Sequence, residues 1–293
     1  MKFGYVSMNS ATGIHAAELA PELEARGYES MWVPEHTHIP ISRISPFPSG
    51  IELPEGYYHM MNPFASLAAA GAVTSTLKLG TAVALFLQHS MINLAVETAT
   101  LDVLTGGRLL LGAGVGWNAE ELAGHRPDLP FKQRYSAMRE RVSGLRALWD
   151  EDPVSFDGRW DQLEASVVQP KPVCGRIPIL MGNWGNVGIR HVAEYADEWF
   201  PIDNMLLGPE GQSDVATGIA RFRSQLEEFG RDPEKVPISL MLFGRPRADR
   251  IERYQELGVH RLVISAPNAE LHSPDDTMRD LDAVRPILEP FNV

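Results

Sequence analysis

The chain is poor in cysteine and in positive charge. Of its 293 residues only Cys174 is a cysteine, so no disulfide can form within the chain, and this usage fits a reducing cytoplasm. The 26 Lys and Arg residues are outnumbered by 38 Asp and Glu residues, which gives a formal net charge of −12. Because nucleic acids and anionic membrane surfaces repel such a protein, neither is expected as a partner.

Long hydrophobic runs are also missing, and no secretion signal is expected. The longest apolar stretches are too short to span a bilayer, which needs about 20 consecutive apolar residues. The chain opens with Met1-Lys2-Phe3-Gly4, which runs directly into a predicted strand rather than into a signal peptide. We therefore expect a soluble, cytoplasmic protein.

Several motifs that define catalytic classes are absent from the sequence. It contains no GxSxG nucleophile elbow, no P-loop and no CxxC pair. In the segment Pro34-Glu35-His36-Thr37-His38, His36 and His38 would share one face of an extended chain and Glu35 the other. Since no third ligand and no HExxH-like helix accompanies the two histidines, no metal site is predicted.

Short apolar runs alternate with amphipathic helical stretches along the whole chain, as in a parallel sheet wrapped by helices. The predicted strands are Phe3–Ser7, Tyr28–Val33, Leu77–Leu85, Arg108–Gly112, Ile177–Met181, Glu198–Pro201, Ile238–Phe243 and Arg261–Ser265. An open nucleotide-binding sheet would need a glycine-rich turn after its first strand, and the segment after Ser7 lacks that spacing. The sequence therefore predicts one α/β domain over residues 1–293, a (β/α)8 TIM barrel with insertions after strands two and four.

The loops that follow the strands are where a barrel builds its active site. The Pro- and Gly-rich insertion Ile39–Met61 is long for a connection without secondary structure, and we interpret it as a lid over the site. His36, which precedes it, is the candidate to orient or protonate the reacting group. A second insertion, Pro153–Gln169, carries Asp157-Gly158 between aromatic residues, which predicts a hairpin.

Two glycine-rich turns are candidates for holding a cofactor. Glycine at every second position, Gly112, Gly114 and Gly116, strips one face of the fourth strand's exit. The helix after this strand is predicted to start with a capping box, in which Asn118 is the cap and Glu121 its partner. The carboxylates of this first turn already occupy the positive end of the helix.

The turn after strand five, Gly182 to Val187, leads into a helix whose first turn carries no carboxylate, which favours a bound phosphate. Gly182, Asn183 and Trp184 form the turn, and Gly185, Asn186 and Val187 follow it. The alternative for Asn186 is a plain helix cap.

These residues resemble the bacterial luciferase-like monooxygenase superfamily, and within it the branch of oxidoreductases that depend on the deazaflavin coenzyme F-420. The resemblance covers at least residues 1–201. It rests on Gly27-Tyr28-Glu29-Ser30-Met31-Trp32-Val33-Pro34-Glu35-His36, Leu79-Gly80-Thr81-Ala82-Val83, Ala99-Thr100-Leu101-Asp102-Val103-Leu104-Thr105-Gly106-Gly107-Arg108, Gly112-Ala113-Gly114-Val115-Gly116-Trp117-Asn118 and Ala193-Glu194-Tyr195-Ala196-Asp197-Glu198-Trp199.

The resemblance implies a flavin or deazaflavin that lies across the barrel mouth. A non-prolyl cis peptide under the ring would fall on Ala82–Val83, and Gly114 and Gly116 would run alongside the polyol chain of the cofactor. The phosphate site of the family falls on Gly185, Asn186 and Val187. Sugar-phosphate dehydrogenases of the superfamily carry a glutamate where this chain has Trp117, so glucose-6-phosphate is not the expected substrate.

Three hypotheses of function follow. The first is hydride transfer between coenzyme F-420 and a small organic substrate, with His36 as catalytic residue. The second is an FMN-dependent monooxygenase, which would need no basic groove for a polyglutamate tail; Arg43, Arg245 and Arg247 are the cations available for one. The third is a barrel that binds flavin without catalysis. The resemblance also implies a homodimer, formed through Phe64–Val73 and Ile92–Leu104.

Overall fold

A computed structural model of the protein describes residues 1–48, 50, 52–206, 214–265 and 273–291. Within these ranges the strands are β1 Lys2–Val6, β2 Ser30–Val33, β3 Lys78–Thr81, β4 Leu109–Ala113, β5 Val154–Asp157, β6 Gln162–Ser166, β7 Ile179–Met181, β8 Glu198–Trp199, β9 Ser239–Leu242 and β10 Arg261–Ser265. The helices are α1 Ala16–Ala25, α2 Pro63–Ala72, α3 Met91–Leu104, α4 Ala119–His125, α5 Arg134–Asp150, α6 Gly185–Tyr195, α7 Val215–Glu228, α8 Ala248–Glu256 and α9 Pro274–Leu288.

Eight of these strands form one parallel sheet that closes on itself. Their order is β8-β7-β4-β3-β2-β1-β10-β9. Parallel bridges from Trp199 to Ile238 and from Ile202 to Met241 join the two outer strands. The predicted (β/α)8 barrel is therefore confirmed. The insertion after β4 contains α4, α5 and the antiparallel pair β5–β6, so the predicted hairpin is confirmed as well.

Local sequence explains where several helices begin. Asn62 caps α2, since its side chain accepts a hydrogen bond of 2.9 Å from the N–H of Ala65, and Pro63 occupies the first helical position, where its missing N–H costs nothing. Ser90 caps α3 in the same way. The sequence also predicts a helix over about Glu210–Phe229. The structure describes it as α7 from Val215, and residues 210–213 lie outside the described residues.

Two predicted element boundaries are wrong. Strand three was expected to run to Leu85 but ends at Thr81. The next peptide, Ala82–Val83, is cis, and Ala84 pairs with Ala113 only as an isolated bridge. The helix after β7 was expected to begin at Val187 and begins at Gly185. Trp184 is its N-terminal flanking residue and makes no side-chain cap hydrogen bond, so Asn186 is not the cap.

The barrel interior is filled around one large aromatic side chain. Trp32 is fully buried and packs with Phe200 at a ring-centroid distance of 4.7 Å. A Cβ at Gly80 would lie 2.2 Å from Cε3 of Trp32, and one at Gly4 would lie 2.7 Å from its Nε1. Glycine on the two strands beside β2 therefore makes the space that the indole occupies.

The amino-terminal end of the barrel is closed by a buried charged cluster, the Arg261 cluster. Arg261 is 1% exposed, and its guanidinium bonds Glu29 at 2.8 Å and both Glu198 and Ser239 at 2.7 and 2.9 Å. It also stacks over Trp32, with 5.6 Å between Cζ and the ring centroid. The donors and acceptors are matched on every side, as burial of a charge requires.

The pKa values of the two carboxylates in the Arg261 cluster are shifted in opposite directions. Burial raises the pKa of Glu198, although the charge of Arg261 opposes it. Burial alone would also raise the pKa of Glu29. The hydrogen bonds and charge of Arg261 outweigh burial and lower the pKa of Glu29 to about 2. Glu29 is therefore the firmly ionised partner of Arg261.

Candidate functional site

The candidate site lies at the opposite end of the barrel, where the segments after β2, β3, β4 and β7 meet. His36 stands three residues after the end of β2. Its Nδ1 is 2.7 Å from Oε2 of Glu121, and its Nε2 accepts a hydrogen bond of 3.3 Å from the indole N–H of Trp117. The His36 side chain is 7% exposed and that of Glu121 1%. The residue predicted to be catalytic is thus held at both ring nitrogens.

Glu121 reaches His36 because of how α4 begins. Asn118 caps the helix, and its side chain accepts from the N–H of Glu121 at 3.1 Å, as predicted. The reciprocal half of the predicted capping box is wrong. The carboxylate turns instead to His36 and to the backbone N–H of Thr37 at 3.2 Å, because these donors lie in the same buried space.

Aromatic rings from the insertion after β2 and from the loop after β4 surround His36. Tyr57 lies 5.3 Å and Trp117 5.6 Å from the imidazole, measured between ring centroids. Phe47 packs on both of these aromatic rings, at 5.2 and 5.5 Å. Arg43 lies over Trp117, with 5.9 Å between Cζ and the ring centroid. The wall beside His36 is therefore apolar and aromatic, apart from the polar tips of these side chains.

The covering segment is attached at both of its ends. At one end Ser10 and Met60 form an antiparallel bridge, which links it to the loop after β1. At the other, the N–H groups of Ile44 and Ser45 donate to the carboxylate of Glu120 on α4. Hydrogen bonds from Ser45 and Ile44 lower the pKa of Glu120 to about 2. The segment thus connects the loop after β1 to the start of α4. The interpretation of Ile39–Met61 as a lid stays a prediction.

Glu35 points away from His36 and anchors the exit of β3. Glu35 is 3% exposed. Its carboxylate accepts a hydrogen bond from the N–H of Leu85 at 2.6 Å and lies 2.9 Å from Nε2 of His89. Burial opposes the charged form of His89, but the hydrogen bond and charge of Glu35 outweigh it and raise the pKa of His89. Glu35 and His36 therefore bind different groups, and the arrangement of His36 and His38 on one face with Glu35 on the other stays a prediction.

A pair of histidines lies on the outer side of this region. The Thr37 hydroxyl is 2.6 Å from Nε2 of His125 and 3.1 Å from Nδ1 of His38. Partial burial, followed by the charge of His38, lowers the pKa of His125. Within the described ranges, no group of three or more His, Cys, Asp or Glu side chains has an arrangement that would hold a metal ion.

The floor of the mouth is formed where β3 and β4 leave the sheet. The peptide between Ala82 and Val83 is cis, as the resemblance implied. A Cβ on Gly114 would lie 2.3 Å from Cγ2 of Val83, and one on Gly112 would lie 1.9 Å from the carbonyl oxygen of Thr81. Both glycines therefore have a packing role against β3. Contact of Gly114 and Gly116 with a cofactor stays a prediction.

The start of α6 has the features of an anion site. Its first turn carries no acidic side chain, and Trp184 provides no cap. Gly185 has φ +76° with open space around its missing side chain, and Val187 is 63% exposed. The free backbone N–H groups of the first turn are therefore accessible, which fits the phosphate of a flavin or deazaflavin.

Asn183 forms the wall next to this helix start. Asn183 is 9% exposed. The nitrogen of its side-chain amide lies 3.2 Å from the Tyr135 hydroxyl, and the amide oxygen, Oδ1, has no hydrogen-bond partner. Exchanging the amide oxygen and nitrogen would let Tyr135 donate to Asn183 and would free an N–H donor. Gly182 is packed against the carbonyl of Phe200, where a Cβ would lie 2.6 Å from the oxygen.

The predicted site residues thus fall into three groups. His36 lies with the unpredicted Glu121 on the α4 side of the mouth, and Gly182–Val187 form the α6 side. Ala82, Val83 and Gly114 lie in the floor between them, where β3 and β4 end. The cations named for a tail groove have separate contacts, Arg43 with Trp117 and Arg247 with Asp249. Sequence reasoning missed the role of Glu121, because it stands 85 residues from His36 and a local capping pattern already explained it.

A model of the luciferase-like monooxygenase family matches residues 1–286 of the chain. The chain belongs to this family. Membership in the luciferase-like family places the chain among oxidoreductases and monooxygenases, so the expectation of an enzyme family is confirmed at that level.

Individual relatives are similar to different extents. An uncharacterized protein of Mycobacterium tuberculosis is 35% identical over 280 residues, which are 94% of each chain. The F-420-dependent glucose-6-phosphate dehydrogenase of Nocardia farcinica is 34% identical over 142 residues, 47% of this chain and 42% of that protein. The structure of an F-420-dependent secondary alcohol dehydrogenase with an F-420–acetone adduct has a TM-score of 0.77 at 19% identity, over 98% of both chains. This last likeness shows a shared fold.

In the part of the chain that the structure describes, no helix is long and apolar enough to cross a membrane.

Proposed function

We propose that this luciferase-like protein transfers a hydride between coenzyme F-420 and a small organic substrate that interconverts between alcohol and carbonyl. The observation that carries the proposal is the pairing of Trp117 and His36 at the mouth. The indole N–H is a donor and Nε2 of the imidazole an acceptor, 3.3 Å apart. A hydroxyl group accepts one hydrogen bond and donates another, so it is complementary to this pair.

The two sides of the mouth would divide the work. The accessible N–H groups of α6 and the glycines at the exit of β4 would hold the phosphate and the chain next to it. When bound, the deazaflavin ring supplies a carbon that accepts or releases a hydride. His36 would take or return the hydroxyl proton through Nε2, and the aromatic covering segment would exclude water.

The family relationship supports the cofactor. A relative and a structural neighbour are both described as F-420-dependent. The second candidate, an FMN-dependent monooxygenase, is favoured by the family description itself. A barrel that binds flavin without catalysis is the third candidate, and its hallmark would be binding without any hydride transfer.

A titration distinguishes the first two candidates. Trp117 and Trp184 flank the proposed site, so their fluorescence is expected to fall as a ring binds. We expect coenzyme F-420 to bind at least about tenfold more tightly than FMN, a difference of about 1.4 kcal/mol. Tighter binding of FMN would contradict the proposal in favour of the monooxygenase. Binding of neither would contradict both.

The phosphate contact has its own test. Val187→Asp places a carboxylate in the first turn of α6, where it would repel a phosphate and occupy the helix end. We expect the affinity for FMN and for coenzyme F-420 to fall about 5–30-fold, which corresponds to about 1–2 kcal/mol. Val187→Asn is the uncharged control, and riboflavin, which has no phosphate, should lose no affinity. Equal losses for riboflavin and FMN would show that α6 does not bind the phosphate.

We also propose that two copies of the chain associate through α2 and α3. Exposed apolar side chains on and beside these helices are Val73, Ile92, Val103 and Leu104, which are 48%, 39%, 47% and 72% exposed. No exposed position of these two helices is charged, and the carboxylate of Glu97 on α3 belongs to a half-buried residue. Because each copy carries a net charge of −12, self-association needs a face free of carboxylates.

Leu104→Glu is expected to separate such a dimer. Sedimentation velocity should give twice the chain mass of 32.4 kDa for the natural protein and the single mass for the variant. Val167→Glu is the matched control, since Val167 is also 72% exposed but directly follows β6, away from α2 and α3 in the sequence. A natural protein that sediments as a monomer at micromolar concentration would refute the dimer.

A further inference from the structure

Glu121 holds two donors at once, and this determines how its carboxylate lies. Oε2 is 2.7 Å from Nδ1 of His36, and Oε1 accepts from the backbone N–H of Thr37 at 3.2 Å. The Glu121 side chain is 1% exposed, so water does not compete for these oxygens. A backbone N–H only donates, and the oxygen that faces Thr37 must therefore remain an acceptor.

The second nitrogen of His36 faces a group that also only donates. Nε2 receives the indole N–H of Trp117, which has no acceptor lone pair. Nε2 is therefore unprotonated while this contact exists. The neutral imidazole then carries its proton on Nδ1, where Glu121 accepts it. Two neighbours on opposite edges of the ring require the same tautomer.

We infer that Glu121 is a positioning residue that holds His36 in the Nδ1–H tautomer and thereby presents Nε2 as the proton acceptor of the reaction. A buried carboxylate on one imidazole nitrogen orients the ring and stabilises the cation that forms when the other nitrogen gains a proton. In the alcohol-oxidising direction, the O–H proton goes to Nε2, the C–H hydride goes to the bound deazaflavin, and the C–O bond becomes C=O. This use of the tautomer rests on the proposed function, whereas the tautomer itself does not.

Glu121→Gln tests the inference, because an amide has one acceptor and one donor side. The oxygen must face the N–H of Thr37, so the NH2 group faces Nδ1 of His36 and requires that nitrogen to accept. We expect the tautomer to change to Nε2–H, and the contact with Trp117 to be lost. The readout is the 15N spectrum of histidine-labelled protein without cofactor, recorded over a series of alkaline pH values until the His36 signals no longer change. These signals are assigned by their absence in His36→Gln.

Glu120→Gln is the matched control. Glu120 is the adjacent carboxylate on α4 and binds the covering segment instead of His36. We expect the tautomer of His36 to be unchanged in this variant. Trp117→Phe gives a second measurement that does not depend on the folding of Glu121→Gln, and here Glu121 should keep the proton on Nδ1. A tautomer that is unchanged in Glu121→Gln, or that changes in Trp117→Phe alone, would overturn the inference.

Binding and turnover separate this inference from the proposed function. Affinity for coenzyme F-420 should be the same in the natural protein and in Glu121→Gln, since Glu121 lies on the α4 side of the mouth. Turnover of an alcohol should fall by roughly 10²–10⁴-fold in kcat with little change in KM, the loss typical of a displaced general base. If the protein binds no deazaflavin but Glu121→Gln still reverses the tautomer, the proposed function is contradicted. The inference that Glu121 sets the tautomer of His36 then still holds.

Discussion

Arg261→Met is expected to lower the free energy of unfolding by about 3–5 kcal/mol, because it leaves the buried carboxylate of Glu198 without its cation. Methionine has a similar length and fills much of the space beside Trp32, so the loss reports the charge rather than a cavity. Urea unfolding followed by far-ultraviolet circular dichroism measures it. In Arg261→Met combined with Glu198→Gln, part of the stability should return.

An exposed ion pair provides the comparison for this result. Arg285 and Glu289 are 59% and 62% exposed and form an ordinary surface pair, so Arg285→Met should change stability by less than about 1 kcal/mol. If Arg261→Met is as stable as Arg285→Met, the Arg261 cluster does not stabilise the amino-terminal end of the barrel.

Gly112→Ala is expected to destabilise the protein by about 3 kcal/mol, the upper end of the usual range for overpacking. The added Cβ would lie 1.9 Å from the carbonyl oxygen of Thr81, which is backbone and has no rotamer with which to move away. The strands β3 and β4 would have to separate at the point where Ala84 donates to the carbonyl of Gly112 at 2.7 Å. Chemical denaturation measures the loss of stability.

Gly124→Ala is the matched substitution in a tolerant place. Its Cβ would lie 3.1 Å from Nε2 of His38, the tip of an exposed side chain that can rotate away. Gly124 is within α4, where alanine is the better helix former by up to about 1 kcal/mol. We expect no loss of stability here. A Gly112→Ala variant as stable as Gly124→Ala would contradict the packing role of Gly112.

Much of the barrel was predictable because its signal is periodic. The predicted strands Tyr28–Val33 and Arg261–Ser265 have bounds within two residues of those of β2 and β10. The end of β3 was not predictable from its apolar pattern, since Leu77–Leu85 reads as one continuous strand although the regular strand ends at Thr81. Hydrophobicity reports burial, which continues after Thr81, and does not report backbone geometry.

The sequence predicted individual parts of the candidate site but not the contact between His36 and Glu121. His36 and the turn before α6 each stand at a strand exit, so topology alone brings them to one end of the barrel. The partner of His36 was not predictable, because a glutamate three residues after Asn118 is equally explained by a local cap. Arg261 was missed for a related reason, since its partners Glu29 and Glu198 lie 232 and 63 residues away.

The Arg261 cluster and the His36–Glu121 pair occupy opposite ends of the same strands. Along β2, Ser30 lies at the level of the cluster and His36 six residues later, an extended distance of about 20 Å. Substitutions that far apart are expected to combine additively in free energy. The loops of the mouth are therefore free to vary in sequence, during evolution or in the laboratory, while the stability that tolerates such variation is supplied at the other end of the barrel.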